Sequence, residues 1–371
     1  MTLAVTGGGT GGHIFPAIAV AEALRSARSD VEVIYIGGAA GREATIVPQH
    51  GLRFIGVPAR KIRRTASPDT LITLVVLFRG YLQARSALRR LGASAVLGTG
   101  GYVAAAAVLA ASRLNIPVVI HEQNAVAGRT NRWLARKAER VCITFAASAG
   151  EFPAGKVIET GLPIRQGLVS PLTRSAARAQ LGIPEASFTV VVVGGSQGAA
   201  AINRVVWESL DSLNRDISII HQTGDTEGGP GEHVRDAGVG SVYRSRPFLD
   251  TDDLAAAYRA ADVAVCRCGA STLAEVAAAG LPSLLIPYPL AYADHQTANA
   301  RAVAEAGGGV LIPQADLTSA RLAEELHALK ADQTRRQRMA DATRAMARPD
   351  AAQAVAEVVL RCVREANGGR T

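Results

Sequence analysis

Three glycine-rich segments of this chain each follow a short apolar run and precede a stretch of helical composition. The first turn of a helix leaves N–H groups unpaired and carries partial positive charge, and glycine lets a phosphate approach the backbone closely. One such junction would indicate a nucleotide site, whereas three indicate two anionic ligands. We therefore predict a transferase whose donor and acceptor both carry a diphosphate. The segments are TGGGTGGH (residues 6–13), GTGGY (residues 98–102) and GGSQGA (residues 194–199).

Gly7, Gly9 and Gly12 of the first segment satisfy the G-x-G-x-x-G pattern of dinucleotide sites. The strand that follows ends without the acid that binds a ribose in NAD sites, so a general anion cradle is the better interpretation. A plain tight turn is the alternative. His13 comes directly after the cradle and titrates in the range of a general base, although a histidine at a helix start can be only a polar boundary residue.

GTGGY repeats this arrangement in the same half of the chain, before a predicted helix that opens at Tyr102. Two helix N-termini directed at one place would hold a diphosphate better than either alone, and close backbone packing is the alternative. The run His121-Glu122-Gln123-Asn124 follows another predicted strand, at the edge where open α/β sheets bind ligands. This run could simply cap the next helix. We predict a ligand site here, with Asn124 also contributing to that cap.

The second half of the chain carries a different set of polar groups. GGSQGA offers backbone N–H groups and the Ser196 hydroxyl at a helix start. A strand, a small-residue turn and a helix (residues 266–282) are predicted to carry Glu275 in the first helical turn. That acid could accept hydrogen bonds from a ribose diol, or it could simply match the helix dipole. The loop DHQTANA (residues 294–300) supplies donors and acceptors suited to sugar hydroxyls.

The elements that must position these motifs follow from an alternation of short β-branched runs with alanine-rich stretches of helical length. Such alternation favours a parallel sheet with helices on both faces. The pattern restarts near Pro163, so we predict two α/β domains, residues 1–162 and 163–348. A final helix over residues 351–365 is expected to pack back on the first domain. Predicted strands cover residues 3–5, 31–36, 95–97, 118–120, 189–193, 217–221, 263–266 and 284–287.

Charge is divided unequally along the chain: residues 1–165 hold 20 Lys and Arg against 9 Asp and Glu, and the remainder holds 20 against 23. The basic half is expected to face acidic lipid, a phosphorylated substrate or nucleic acid. The chain opens on a short strand rather than a secretory signal, and no apolar stretch approaches the roughly 18 residues that span a bilayer. Its four cysteines lack metal-ligand spacing, which favours reduced thiols and predicts no metal site.

One apolar segment of the basic half, residues 71–78, has arginines on both sides. It is too short to span a bilayer, but it could lie on a membrane with its apolar face at the acyl boundary and its arginines on anionic headgroups. A buried core helix with a solvated basic end is the alternative. We predict membrane contact because the surrounding half is so basic. The residues assigned to this patch are Leu71, Leu74, Val75, Leu77, Phe78 and Arg79.

The motifs GGTGGH, GTGGY, HEQN, GGSQGA and C-R-x-G-x-x-T-x-x-E-x-x-x-x-G-x-P occur together in one order. Over nearly its whole length the chain resembles the MurG family of bacterial glycosyltransferases, which convert lipid I to lipid II in peptidoglycan synthesis. The resemblance implies the GT-B fold, in which two Rossmann-like, doubly wound parallel-sheet domains face a deep cleft. It also implies an inverting transfer from UDP-N-acetylglucosamine (UDP-GlcNAc) without a metal, and we expect no cofactor.

The resemblance assigns roles to residues of this chain, with two departures. His295 replaces the first of two paired glutamines, and Leu162 replaces an asparagine before the linker proline. The acceptor's diphosphate would be held by Gly9, Gly12, His13, Gly100, Gly101 and Tyr102. The donor would be held by Thr10, Gly11, Gly12, Asn124, Arg165, Ser196, Leu249, Ala270, Ser271, Thr272, Leu273, Ala274, Glu275, His295 and Gln296.

In the implied reaction, the C4 hydroxyl of the muramoyl sugar of lipid I (undecaprenyl-pyrophosphoryl-MurNAc-pentapeptide) attacks C1 of N-acetylglucosamine from the face opposite UDP. His13 is the candidate base, and Arg165 with a helix N-terminus would stabilise the leaving diphosphate. The expected location is peripheral, at the cytoplasmic side of the cell membrane on its anionic inner leaflet, with no nucleic-acid partner. Two alternatives stay open: a soluble UDP-GlcNAc 2-epimerase-like isomerase and a non-catalytic UDP-sugar sensor.

Overall fold

The structure, a computed structural model, describes residues 1–60, 68–168, 172–195, 198–213, 217–224, 233–236 and 241–368. It divides into two compact units. Unit 1 comprises Met1–Arg165 and the C-terminal segment that starts at Pro349, and unit 2 comprises Gln166–Arg348. The first division therefore falls three residues beyond the boundary predicted at 162/163. Ser196 lies outside the described residues.

Unit 1 is built on a seven-stranded sheet in which every pairing is parallel. Its strands are β1 (Thr2–Thr6), β2 (Glu32–Gly38), β3 (Arg53–Val57), β4 (Ala93–Gly98), β5 (Val118–Glu122), β6 (Arg140–Ile143) and β7 (Val157–Glu159). The spatial order is β3-β2-β1-β4-β5-β6-β7. The order reverses between β1 and β4, and open α/β sheets bind their ligands at such a switch point.

The helices of unit 1 form a layer on each face of this sheet. They are α1 (Gly11–Ala27), α2 (Glu43–Gln49), α3 (Pro68–Arg90), α4 (Gly101–Arg113), α5 (Arg129–Leu134) and the C-terminal helix Ala351–Gly368. The C-terminal helix packs on α1, β4 and β5, and its apolar side chains join the core formed by α1. The opposite face is covered by α3, α4 and α5. Both layers leave the carboxyl ends of the strands open to the glycine loops.

Unit 2 repeats the plan with strands β8 (Phe188–Val193), β9 (Ile217–Gln222), β10 (His233–Asp236), β11 (Val242–Arg246), β12 (Val263–Cys266), β13 (Ser283–Leu285) and β14 (Gly309–Leu311). Their order is β10-β11-β9-β8-β12-β13-β14. The sheet is parallel except for β10, which pairs antiparallel with β11 at one edge. The helices are α6 (Arg174–Leu181), α7 (Ala200–Leu213), α8 (Thr251–Ala260), α9 (Ala270–Ala279), α10 (His295–Glu305), α11 (Ser319–Ala331) and α12 (Gln333–Met346).

Helix α3 corrects one expectation from the sequence. The stretch Leu71–Arg90 is, by length and mean hydropathy alone, sufficient to cross a membrane, contrary to the expectation that no such stretch exists. The mean hydropathy stays high past residue 78 because Arg79 and Arg85 are the only charged residues between Leu71 and Leu88. However, 28% of this stretch is buried, and Ala84 and Leu88 are fully buried in the core beneath α4. Helix α3 is thus an integral layer of unit 1 with one exposed face.

Candidate active site

The first glycine segment forms the loop between β1 and α1. A Cβ on Gly7 would overlap the Thr99 hydroxyl oxygen, so close packing alone requires glycine there. Gly9 has a φ of +86°, which glycine adopts without strain. Gly9 and Thr10 are exposed at the tip of the loop, and α1 begins at Gly11. The base of the loop is therefore fixed by packing, while its tip and the first turn of α1 remain available to a ligand.

The second glycine segment lies directly beside the first. A Cβ on Gly101 would overlap the carbonyl oxygen of Gly8, so the two loops touch through their backbones. The Thr99 hydroxyl donates to the His13 carbonyl oxygen, with 2.6 Å between the two oxygens. Close backbone packing, the alternative interpretation of this motif, is thus observed at Gly101. The same packing brings the N-termini of α1 and α4 together at the switch point of the sheet.

His13 is the third residue of α1 and is half-buried. Its ring lies against Gly100, where a Cβ would be 3.1 Å from two imidazole atoms. The ring of Tyr102 lies similarly close to Gly9, where a Cβ would be 3.2 Å from a ring carbon. These contacts gather the residues predicted to hold the acceptor's diphosphate, namely Gly9, Gly12, His13, Gly100, Gly101 and Tyr102.

The polar run after β5 is mostly internal: His121, Glu122 and Gln123 are at most 2% exposed. Glu122 is the centre of a small network, since its carboxylate accepts the N–H groups of Asn124 (2.9 Å) and Gly128 (3.0 Å). Burial lowers the pKa of His121, whose Nε2 donates to a backbone carbonyl. Helix α5 begins at Arg129, and its N-cap residue Gly128 supplies no side-chain cap. The capping role expected for Asn124 stays a prediction, and the run builds a loop that supports this residue.

Two amides join this loop to the glycine segments. The Nε2 of Gln123 donates to the Thr99 carbonyl oxygen at 2.6 Å. The Nδ2 of Asn131 donates to Glu122 Oε2 at 2.9 Å and lies 3.3 Å from the position of a Cβ on Gly100. Three motifs that are far apart in the sequence therefore meet at the carboxyl edge of β1, β4 and β5.

Glu43, the first residue of α2, belongs to the same cluster although the sequence pattern does not single it out. It is fully buried, and its carboxylate accepts the N–H groups of Gly38 (3.0 Å) and Gly9 (3.4 Å). Beside it, Tyr35 Oη donates to the Gly7 carbonyl oxygen at 2.8 Å. Burial raises the pKa of Tyr35, and the Glu43 carboxylate raises it further. In the sequence Glu43 resembles any acid at a helix start, so only the fold reveals its contact with the first glycine loop.

Arg165 is the last residue of the first stretch of unit 1. Its guanidinium lies over the ring of Phe15 in α1, 4.9 Å from the ring centroid. This cation–π contact holds a permanent positive charge against Phe15, the fifth residue of α1. Leu162, one of the two departures from the family pattern, is buried and contributes only packing in unit 1.

In unit 2, the glycine segment after β8 and the backbone of Leu249 are linked by Gln222. The Nε2 of Gln222 donates to the Gly195 carbonyl oxygen at 3.3 Å, and its Oε1 accepts the Leu249 N–H at 3.1 Å. Gly195 has a φ of +89°, and a Cβ on Gly198 would overlap the carbonyl oxygen of Thr223. One amide side chain therefore holds together two of the segments predicted to bind the nucleotide.

Helix α9 begins at Ala270, and Glu275 is its sixth residue. The prediction that Glu275 lies in the first turn is wrong, so the helix dipole does not account for this acid. Tyr258 Oη donates to Glu275 Oε2 at 3.2 Å. Ser271 Oγ is buried and makes no hydrogen bond to any described residue, and such a group is expected to have a partner. Of the other predicted residues of this helix, Ala270 and Leu273 are buried and Thr272 and Ala274 are half-buried.

Gln296 and Asn299 of α10 both bind the backbone of Cys268, just before α9. Gln296 Oε1 accepts the N–H groups of Cys268 (3.2 Å) and Tyr288 (3.0 Å), which occupies the oxygen and leaves the amide nitrogen to donate to a ligand. Asn299 Nδ2 donates to the Cys268 carbonyl oxygen at 3.1 Å. These bonds fix the start of α10 against the start of α9, which joins two more predicted donor segments.

His295 is the first residue of α10 and directly follows two residues with strained backbone. Ala293 and Asp294 both have left-handed backbone conformations, with φ of 50° and 52°. Such strain in residues other than glycine is concentrated at functional sites. The Nδ1 of His295 donates to the Tyr292 carbonyl oxygen at 2.8 Å, which leaves Nε2 as its outward nitrogen.

The described residues include no group of three or more His, Cys, Asp or Glu that could hold a metal ion. Cys266 and Cys268 are buried thiols, and burial raises the pKa of Cys266 to about 12.

The exposed face of α3 carries a continuous apolar row, the α3 stripe, with spacings of three and four residues that place its members on one side of the helix. Its members are between 45% and 68% exposed. Leu77 of the predicted patch lies off this row and is half-buried, whereas Arg79 is exposed. Towards the end of the helix, Arg85 and Arg89 continue the row and line a groove of about 400 Å³. The α3 stripe consists of Leu71, Leu74, Val75, Phe78 and Leu82.

Comparison with known proteins gives consistent similarities over both units. The glycosyltransferase family 28 N-terminal domain matches residues 3–143, and the C-terminal domain of that family matches residues 189–355. A UDP-N-acetylglucosamine--N-acetylmuramyl-(pentapeptide) pyrophosphoryl-undecaprenol N-acetylglucosamine transferase of Desulforudis audaxviator is 39% identical over 368 residues, covering 97% of this chain and 98% of its own. The crystal structure of Acinetobacter baumannii MurG has a TM-score of 0.75 at 31% identity, covering 97% of this chain and 99% of its own. A putative UDP-N-acetylglucosamine 2-epimerase from Listeria monocytogenes has a TM-score of 0.69 at 13% identity, with 96% and 94% coverage, which is a likeness of fold alone.

Proposed function

The chain belongs to glycosyltransferase family 28, and we infer that it transfers N-acetylglucosamine from UDP-GlcNAc to lipid I, forming lipid II. The observation that carries this inference is a similarity to the named transferase that extends through both units rather than one. Each of the two Rossmann-like domains of a GT-B fold has a sheet edge of the kind that binds nucleotides, so each domain can bind one of the two diphosphate-bearing substrates. The product is a β-1,4 link to the C4 hydroxyl of the muramoyl sugar.

Unit 2 is proposed to bind the donor nucleotide. Glu275 would accept hydrogen bonds from the ribose, and Ser271 with the first N–H groups of α9 would contact the diphosphate. The buried Ser271 hydroxyl supports this assignment because a phosphate oxygen would satisfy it. His295 and Gln296 would bind the sugar hydroxyls. In the same proposal, the backbone of Leu249 and the segment around Ser196 contact the uridine, and Thr10, Gly11, Gly12 and Asn124 of unit 1 contact the donor sugar.

Unit 1 is proposed to bind the acceptor's diphosphate at the two touching glycine loops. Two helix N-termini converge there, and each favours an anion through its N–H groups and its dipole. The half-buried ring of His13 lies between these loops, against Gly100. A diphosphate held at this edge would bring the attached sugar to the imidazole.

In the proposed step, the C4 oxygen of the acceptor forms a bond to C1 of N-acetylglucosamine as its proton passes to the ring of His13. The bond between C1 and the diphosphate oxygen breaks, and its electron pair leaves with UDP. The negative charge that develops on UDP would be stabilised by Arg165 and by the N-terminus of α9, without a metal ion. Because the attack comes from the face opposite UDP, the configuration at C1 inverts.

We also propose that unit 1 docks on an anionic membrane, as a peripheral protein at the cytoplasmic face. The α3 stripe offers apolar side chains to the acyl boundary, and the arginines that follow it suit acidic headgroups. Helix α5 covers the same face of the sheet and exposes Trp133 (55%) among Arg129, Arg136 and Lys137. Exposed tryptophan beside basic residues is typical of membrane interfaces. We therefore assign this basic surface to lipid and not to nucleic acid.

One assay tests the function: transfer of labelled N-acetylglucosamine to a lipid I analogue, with and without a chelator. We expect lipid II at equal rates in both conditions, and loss of activity with the chelator would contradict the metal-free step. Epimerised sugar nucleotide formed without acceptor would instead identify the isomerase, which shares only the fold. Tight UDP binding without any transfer would identify a sensor.

The same assay tests the base. His13→Ala should lower kcat by about 10²- to 10⁴-fold, the range of general acid–base catalysis, while UDP-GlcNAc binding stays unchanged. His50→Ala is the matched control, because this histidine lies in unit 1 and pairs with Glu22 (3.1 Å) away from the loops. Near-full turnover in His13→Ala would make the base assignment wrong.

A further inference from the structure

The proposed reaction makes no use of Glu43, although its carboxylate is fully buried directly beneath the first glycine loop. Burying a carboxylate is costly unless its oxygens accept hydrogen bonds. Here the two oxygens divide between two segments: Oε1 accepts Gly38 N–H at the end of β2, and Oε2 accepts Gly9 N–H in the loop. One carboxylate therefore ties the loop after β1 to the turn after β2.

Three glycines enclose this carboxylate. A Cβ on Gly8 or on Gly41 would overlap it, and a Cβ on Gly38 would lie 2.9 Å from Oε1. Glycine at these positions is explained by the presence of Glu43, without any ligand. The three glycines and the buried acid therefore form one packed unit, whose role the proposed reaction does not explain.

The charge of Glu43 cannot provide that role by attraction, because a carboxylate repels a diphosphate bound nearby. The positions of its hydrogen bonds can provide that role. The bond to Gly9 N–H holds the loop where Gly9 has a φ of +86°, and Tyr35 Oη holds the adjacent Gly7 carbonyl oxygen at 2.8 Å. A glycine loop that is already ordered does not lose backbone entropy when an anion binds.

We propose that Glu43 is a positioning residue that shapes the first glycine loop for the acceptor's diphosphate, through its paired hydrogen bonds to Gly9 and Gly38. The proposal rests on the proposed function, since it concerns the loop assigned to lipid I. The proposal is specific, because a change in the shape of this loop should raise the KM for the acceptor and leave the KM for UDP-GlcNAc unchanged.

The decisive variant is Glu43→Gln, which keeps the size of the side chain but turns an N–H₂ group towards one of the two backbone N–H groups. Loss of a charge-assisted hydrogen bond should raise the KM for a lipid I analogue by roughly tenfold or more. The KM for UDP-GlcNAc should stay within about twofold of wild type, and we expect thermal unfolding to remain cooperative. Glu22→Gln is the matched control: it removes a carboxylate that contacts His50 at the other end of α2, and both KM values should stay unchanged.

The outcomes separate clearly. If the wild type transfers sugar and Glu43→Gln leaves the acceptor KM unchanged, lowers it, or raises both KM values equally, the positioning role is wrong. A wild type that transfers nothing would overturn the proposed function instead. Should Glu43→Gln fail to fold, Tyr35→Phe decides, because it removes the second anchor of the same loop. We expect it to raise the acceptor KM by about threefold, and no rise would overturn the proposal.

Discussion

Phe78 lies in the middle of the α3 stripe and keeps 60% of its surface exposed. Full burial of a phenylalanine side chain stabilises by about 1.5–3 kcal/mol, so insertion of the exposed part into lipid should contribute about 1–2 kcal/mol. Phe78→Ala should therefore weaken binding to anionic vesicles by roughly 5- to 30-fold. Among the aromatic contacts of the described residues, the Phe78 ring stacks only on Tyr81, with the two ring centroids 6.2 Å apart. The thermal unfolding midpoint should consequently change little.

Co-sedimentation with vesicles of acidic and of zwitterionic lipid measures this effect. Binding should be weaker on zwitterionic vesicles and at high salt, because Arg85 and Arg89 each contribute about 1 kcal/mol at an anionic surface. Leu290→Ala is the control, since Leu290 is even more exposed (79%) but belongs to unit 2. The reasoning is refuted if Phe78→Ala binds vesicles as the wild type does, or if Leu290→Ala loses as much affinity.

Two further predictions concern unit 2. Glu275→Gln should weaken UDP-GlcNAc binding by about tenfold in titration calorimetry, because a carboxylate accepts hydrogen bonds more strongly than an amide. Tyr258→Phe, which removes only the neighbouring hydroxyl, should weaken this binding by less than about threefold. Equal affinity of Glu275→Gln and wild type would remove Glu275 from the ribose site. Burial lowers the pKa of His221 to about 3, below the usual value of about 6.5 in the unfolded chain. The contribution of His221 to stability is therefore complete above pH 6.5 and falls by about 1.4 kcal/mol per pH unit as the pH drops towards 3. Urea unfolding should show a smaller loss between pH 7.5 and pH 5 for His221→Gln than for wild type, and an equal loss in both would assign the pH dependence to other groups.

Local pattern was sufficient to predict much of the fold. The strands predicted at residues 3–5, 95–97 and 118–120 correspond to β1, β4 and β5, because each is a short, buried, apolar run followed by glycine or polar residues. Strands β3, β6, β7, β11 and β14 were not predicted, and each of them lies at or next to an edge of its sheet. Strand β10 was missed as well, because a short polar edge strand such as HVRD lacks an apolar pattern.

The errors at the site arise where a position depends on contacts distant in sequence. The start of α9 is one example: Glu275 lies in its second turn, since the helix begins at Ala270 as soon as the backbone leaves β12. The length of α3 is another, because its second half is apolar only on the side that packs beneath α4. Glu43 is the clearest case, as its two hydrogen-bond partners lie 5 and 34 residues away along the chain. Nothing in a local pattern can distinguish such an acid from an ordinary helix-start carboxylate.

The packing around the first glycine loop also gives a different reason for its glycines than ligand binding. Gly7 is required by Thr99 and Gly8 by Glu43, so two glycines of the loop reflect the interior of unit 1 and not a bound phosphate. In this loop, Gly9 with its left-handed backbone, Thr10 and the first turn of α1 remain exposed enough to meet a ligand. A G-x-G-x-x-G match therefore indicates dense packing at a switch point of the sheet, and by itself it does not identify a ligand. In the proposed function, specificity for a diphosphate would come from what surrounds the loop, namely the second helix N-terminus at Gly101.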